Sequence, residues 1–216
     1  MIEIVPAIIG KNFKEIKEKI NQVDGLVNWA QLDIMDGLFA SSYSWATPED
    51  LKSLDGKIKL EAHLMIEEPE NFIADWSGVV DRILVHVEAT EKLEEIIKQL
   101  QNLPIQLGLV LLAKTPVEAL EPYLDRVKHV QLMAIDEIGF HGHPFNEQVI
   151  NRVKTIRARH PDVTIAVDGG ISLENASALL VAGVNNLIIG SAIWNNDDIG
   201  KTIKQFQNLW IYTTTK

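Results

Sequence analysis

The sequence predicts an α/β fold in which one domain spanning residues 1–216 forms a parallel barrel of the TIM (β/α)8 type. Three observations predict it. Eight apolar, β-branched runs recur at fairly regular intervals along the chain. The segments between them carry helical spacing. No linker, low-complexity tract or short-period repeat divides the 216 residues. A doubly wound open sheet shares the same alternation, because counting strands does not show closure.

The runs are "EIVPAII" (3–9), "WAQLDIM" (29–35), "IKLEAHLM" (58–65), "RILVHVE" (82–88), "IQLGLVLL" (105–112), "HVQLMAI" (129–135), "TIAVDGG" (164–170) and "NLIIGSAI" (186–193). After the first, Phe13, Ile16, Ile20 and Val23 recur with helical spacing, and Asn12 with Glu15 supplies a capping pattern. Thr47-Pro48 and Thr115-Pro116-Val117-Glu118 read as helix starts with proline at the first position. Val149, Ile150, Val153 and Ile156 mark another amphipathic helix. Ser172 precedes the apolar positions Leu173, Ala176, Leu179 and Leu180.

Bulk composition narrows the function classes. Hydrophobic residues at 46% and charged residues at 23% are ordinary for a globular chain. A formal charge of −10 argues against nucleic acid or an anionic membrane as partner. It leaves room for a small anion, which backbone N–H groups can bind locally. The absence of cysteine excludes disulfides, thiolate metal sites and a cysteine nucleophile, and suits a reducing compartment. No signal peptide and no membrane-spanning run is expected, so the expected location is cytoplasmic. The apolar tail "NLWIYTTTK" suits a cover for the core or a contact in a homo-oligomer.

Catalytic groups of such a barrel lie at the C-terminal ends of the strands. Strand two ends with Asp33 and Asp36, strand three with His63, strand four with His86 and Glu88, and strand seven with Asp168. Buried acids and imidazoles need pairing, hydrogen bonds or a metal, so their convergence on one mouth points to a site. Met35, Met65 and Met133 also end three strands; spacing alone reads them as core filler, although they could line a dry pocket. "DGGI" (168–171) and "IIGSAIW" (189–194) place Gly169, Gly170, Gly190 and Ser191 where this fold holds phosphate. "GFHGH" (139–143), with Gly142, has the glycine content of a lid that closes over such a ligand.

Taken in order, these motifs resemble the ribulose-phosphate 3-epimerase family over nearly the whole chain. "VPAIIGKNF" resembles its first-strand motif, "QLDIMDGLF" its H-x-D-x-M-D-G-x-F, "EAHLMIEEP" its H-L-M stretch and "VHVEA" its H-x-E-A. "GLVLLAKTP" is similar to its strand-five motif and "MAIDEIGFHGHPF" to its lid, while "VDGGI" and "GSAIW" match its phosphate-binding ends. The resemblance implies a TIM barrel that inverts C3 of a ketose phosphate, with D-ribulose 5-phosphate and D-xylulose 5-phosphate as the pair. It implies that Asp33 and Asp168 exchange protons with C3 through a cis-enediolate. It also implies that both ligate a divalent metal (zinc, manganese or iron) with two histidines, and that the methionines line the enediolate pocket. His86 falls at a family position that is not a ligand and reads as structural; His160 reads as a solvated helix-end residue.

The sequence departs from the family where metal and sugar hydroxyls are bound. The first metal histidine is Gln31, leaving Asp33, His63 and Asp168, and a glutamine oxygen suits a harder ion than zinc. The strand-one serine is Ala7, the strand-five Asn-Pro is Leu112-Ala113, and the lid carries His141-Gly142-His143. Two further readings therefore stand beside the first: an epimerase of another ketose phosphate, such as a hexulose 6-phosphate, and a non-catalytic sugar-phosphate-binding barrel. A decarboxylase lacks support, since no lysine stands beside the strand-two acids at the required spacing.

Overall fold

The computed structural model describes the backbone of residues 2–140 and 142–213, with side chains as far as Leu209. His141 of the expected lid, and the tail from Trp210 onward as a cover or contact, lie outside the described side chains. Eight strands follow the eight predicted runs: β1 (Glu3–Ile8), β2 (Trp29–Met35), β3 (Lys59–Met65), β4 (Arg82–His86), β5 (Gln106–Leu111), β6 (His129–Met133), β7 (Thr164–Asp168) and β8 (Asn186–Ile189). All pair in parallel and in chain order. Closure comes from β8 pairing with β1, Glu3 to Pro6 against Asn186 to Ile189, which excludes the open sheet.

Side chains alternate across each strand, and here the alternation separates core from site. Leu32 and Ile34 of β2, Ala62 and Leu64 of β3, and Ile165 and Val167 of β7 belong to the large apolar layer shared with the helices. Their neighbours in sequence, Gln31, Asp33, His63 and Asp168, are the buried polar residues of the opposite face. Each fully buried aliphatic side chain stabilises by roughly 1.5–3 kcal/mol, so the outer layer can offset a polar interior. Apart from the large layer, apolar residues form three smaller clusters among the described residues, one around Val5, Ala7 and Ala166, one around Leu84, Val110 and Met133, and one around Met35, Ala40 and Met65.

Toward the start of the strands, Glu61 forms a buried ion pair with Arg82. The guanidinium also donates to Gln106 Oε1, at 3.0 Å from Nε and 2.8 Å from Nη2, and lies 4.0 Å over the Trp29 ring. Three kinds of contact thus satisfy one buried cation, at the end of the barrel where this fold keeps stability rather than catalysis.

The helices are α1 (Phe13–Val23), α2 (Ile73–Trp76), α3 (Leu93–Leu100), α4 (Gln148–Arg159), α5 (Leu173–Ala182), α6 (Ser191–Trp194) and α7 (Ile199–Thr213). The Asn12 side chain caps α1 by accepting from Glu15 N–H at 3.1 Å, and the Glu15 carboxylate accepts Lys11 N–H at 2.9 Å. At α5 the Asn175 side-chain oxygen accepts Ser172 N–H at 2.9 Å, completing the expected start. The two Thr-Pro starts turn out differently. Pro48–Ser53 and Val117–Leu120 are short 3-10 turns without a side-chain cap. Pro116 is itself extended (ψ 142), so the turn begins one residue later than the pattern places it. Among the described residues no helix is long and apolar enough to cross a membrane.

Candidate functional site

Register brings the acids together. Asp33 of β2 stands beside His63 of β3, while Asp168 ends β7 beside Met133 of β6. His63 Nδ1 lies 3.1 Å from Asp33 Oδ1 and 3.6 Å from Asp168 Oδ2. Gln31 reaches the middle of this group: its amide nitrogen donates to Asp33 Oδ1 and Asp168 Oδ2, both at 2.8 Å, and lies 3.2 Å from His63 Nδ1. Gln131 Nε2 adds a 3.0 Å bond to Asp168 Oδ2. Asp36, by contrast, holds the turn: Oδ1 accepts from Leu38 N–H (2.9 Å) and Phe39 N–H (3.0 Å), and Oδ2 from Glu67 N–H (2.7 Å).

Burial makes these groups titrate abnormally. Burial first, and the Asp33 charge second, push Asp168 up to about 7, against the pull of His63 and the Gln31 bond. Burial alone would lower His63, but its bond to Asp33 and the charges of Asp33 and Asp168 outweigh it and hold the ring above the usual histidine range. His86 falls to about 4 because it is buried and faces His63. The mouth thus holds an aspartate that can carry a proton at neutral pH next to a second acid.

Asp33, His63 and Asp168 offer ligand atoms that all lie within 4.8 Å of one another, so these three can hold a metal ion. Gln31 does not fit as it stands, because its N–H groups occupy the centre that a cation would take. Its Oε1 is buried without a hydrogen-bond partner among the described residues. Turning the amide end over end would put that oxygen among the acids, an arrangement that only a cation makes favourable.

One cleft joins the acids to the glycine loops. Asp33, His63 and Asp168 share its lining with Gly169, Gly170, Gly190, Ser191 and Gly142. Gly142 and Gly139 of the lid have positive φ (89 and 101), and at Gly170 (φ 65) an added Cβ would sit 2.8 Å from the Phe145 backbone. A Gly170→Val change would therefore disturb the loop itself and not only a ligand. Met65 and Met133 line the cleft. Met35 does not; it packs with Met65 and Ala40 where the loop after β2 folds over it. His160 closes α4 as its C-cap residue, 2.8 Å from Glu121.

Sequence reasoning missed Gln131, whose only signal is a polar residue in the inward register of an apolar strand. His86, which the sequence places as structural, lies with its Nε2 2.8 Å from that of His63, a contact no sequence signal announces.

The chain is similar to known proteins in both sequence and fold. A profile of the ribulose-phosphate 3 epimerase family matches residues 3–194. The ribulose-phosphate 3-epimerase of Bacillus subtilis is 30% identical over 216 residues, covering 96% of this chain and 99% of that protein. The chloroplastic ribulose-5-phosphate-3-epimerase of Arabidopsis thaliana is 31% identical, over 94% of this chain and 75% of that protein. Among solved structures, 3-hexulose-6-phosphate synthase from Salmonella typhimurium superposes with a TM-score of 0.74 at 13% identity, covering 98% of this chain and 100% of that one. Orotidine 5'-phosphate decarboxylase from Pyrococcus horikoshii gives 0.70 at 15%, covering 96% and 99%. At such identity the structures speak for the fold alone, while the profile and the curated relatives speak for descent: the chain belongs to the ribulose-phosphate 3-epimerase family.

Proposed function

We propose that the chain acts as one barrel domain that inverts C3 of a ketose phosphate, interconverting D-ribulose 5-phosphate and D-xylulose 5-phosphate. The observation that carries this reading is the pair of acids, Asp33 and Asp168, bound to a single Gln31 amide at the ends of β2 and β7. Epimerisation needs a base on one face of C3 and an acid on the other, and two unlike carboxyls supply both. A C3 carbon seated above the Gln31 amide has one carboxyl on each side. Asp33 removes the C3 proton, a cis-enediolate forms, and Asp168 returns a proton to the opposite face; in reverse the roles exchange. The loops with Gly169, Gly170, Gly190 and Ser191 hold the phosphate, and Met65 and Met133 keep water from the enediolate.

A divalent ion held by Asp33, His63 and Asp168, with Gln31 turned to present its oxygen, would polarise the C2 carbonyl and stabilise the oxyanion. The oxygen-rich set favours manganese or iron over zinc. One observation favours a second substrate: Ala7 and Ile9 line the cleft with apolar surface, which alters the contacts offered to sugar hydroxyls and suits a different ketose phosphate, such as a hexulose 6-phosphate.

The test is direct conversion followed by 13C NMR, with ribulose 5-phosphate and a hexulose 6-phosphate offered separately, with and without manganese. Appearance of the C3 epimer of the pentulose supports the reading. Turnover of the hexulose alone moves the substrate, and turnover of neither leaves a binding barrel.

A further inference from the structure

A buried line of side chains leads away from the acids through His63. Its Nε2 and that of His86 are 2.8 Å apart. Ring centroids 5.0 Å apart, with planes only 23° from parallel, fit two imidazoles joined edge to edge by that bond. Two N–H groups, or two lone pairs, cannot face each other at this distance. One ring donates and the other accepts.

Glu88 decides which. Its Oε1 accepts Leu112 N–H at 2.9 Å, and its Oε2 lies 3.6 Å from His86 Nδ1. Both Oε2 and Nδ1 are buried, and neither has a hydrogen-bond partner among the described residues. The carboxylate therefore favours a proton on the His86 nitrogen it faces. In this fully buried ring a single proton, placed on the nitrogen that faces the carboxylate, leaves Nε2 as an acceptor. His63 must then donate from Nε2 whether its ring carries one proton or two.

We propose that His86 and Glu88 are positioning residues that hold His63 in the Nε2–H tautomer, so that Nδ1 keeps its lone pair toward Asp33 and Asp168. The constraint is not trivial, because Asp33 Oδ1, 3.1 Å from Nδ1, would by itself draw the proton of a neutral ring to that nitrogen. With the proton fixed at Nε2, Nδ1 is the atom that binds an ion or takes up a proton beside the acids. The inference rests on reading Asp33, His63 and Asp168 as the reacting centre. Its readout is the protonation pattern of one ring, which requires neither substrate nor metal, so it can fail while the epimerase reading stands, and the reverse.

The experiment is a long-range 1H–15N correlation on the full chain labelled at histidine nitrogens, in chelator, at a pH where the shifts show a neutral His63. The expected spectrum has a pyrrole-type Nε2 and a pyridine-type Nδ1. In Glu88→Gln, where an amide can face Nδ1 with either end, and in His86→Phe, which accepts nothing, the Nε2–H to Nδ1–H ratio should fall roughly tenfold, on the order of losing one buried polar contact. A proton on Nδ1 of neutral His63 in the unmodified protein, or an unchanged ratio in the variants, would overturn the proposal. Should His86→Phe fail to fold, the unmodified spectrum and Glu88→Gln decide it.

Discussion

Gln31 donates a 2.8 Å hydrogen bond to Asp168, joining β2 to β7 across the mouth of the barrel through residues 137 positions apart. The same nitrogen serves Asp33, so one amide holds two acids together where a cation would otherwise be needed. Replacing it with a ligand should convert the site. We expect Gln31→His to bind manganese or zinc at least roughly tenfold more tightly than the unmodified chain. Calorimetry on both proteins checks this; equal affinities would show that Gln31 does not control the ion.

Asp33 and Asp168 should be separable from Asp36 by kinetics. Asp33→Asn and Asp168→Asn should each lose turnover by about a hundredfold or more, the lower range for a general acid or base. Asp36→Asn should lower the melting temperature instead, because Asp36 holds two backbone N–H groups of its turn and one of the loop after β3, and makes no hydrogen bond to the cleft acids. Near-normal turnover in either Asn variant of the first pair refutes the two-acid scheme.

The raised Asp168 makes a signed prediction about pH. The folded protein keeps this proton up to about pH 7, while an unfolded aspartate releases it near the ordinary value of 3.8. Between those limits the folded state binds the extra proton, so its contribution is fully present below the lower limit and is lost as pH rises through the upper one. In chelator, the stability of the unmodified chain relative to Asp168→Asn should fall between about pH 4 and 7 and level off above. A flat difference across that window would contradict the assignment.

Phosphate recognition is best probed by charge. Ser191 is half-buried at the start of α6 and lines the cleft. Ser191→Asp would set a carboxylate against the ligand phosphate and should weaken ribulose 5-phosphate binding about tenfold or more, with free ribulose unaffected. Unchanged affinity for the phosphate ester would move the phosphate elsewhere.

The Glu61–Arg82 pair should matter to stability alone. Arg82→Met leaves Glu61 buried without its cation, and urea unfolding should show a loss of about 3–5 kcal/mol. Adding Glu61→Leu should restore most of it, since removing both charges avoids the uncompensated one. No rescue in the double variant would mean that packing on Trp29, not charge, holds Arg82 in place.

How much of this is legible in the sequence follows from how far each signal reaches along the chain. Strand alternation and the glycine ends are local, so Asp33, His63, Asp168 and the Gly169–Gly170 turn can be placed from the residues alone. The Gln131 bond to Asp168 and the His86 bond to His63 join separate strands, and no spacing within "HVQLM" or "RILVH" announces a partner. Thr115 misleads for a different reason: Pro116 is extended, so the helical turn that the local pattern announces does not start there. Met35 carries the same strand-end signal as Met65, and only the fold of the loop after β2 separates their roles.

The central claim, two-acid inversion at C3, is tested most directly by isotope exchange. Ribulose 5-phosphate is incubated with the protein in deuterated water, with and without manganese, and deuterium at C3 is read by NMR. The account predicts label at C3 of both epimers with the unmodified chain, and with Asp33→Asn or Asp168→Asn no inverted product, with label confined at most to the one epimer whose C3 proton faces the remaining acid. Absence of C3 label from the unmodified chain under every metal condition, with the sugar phosphate demonstrably bound, would contradict it.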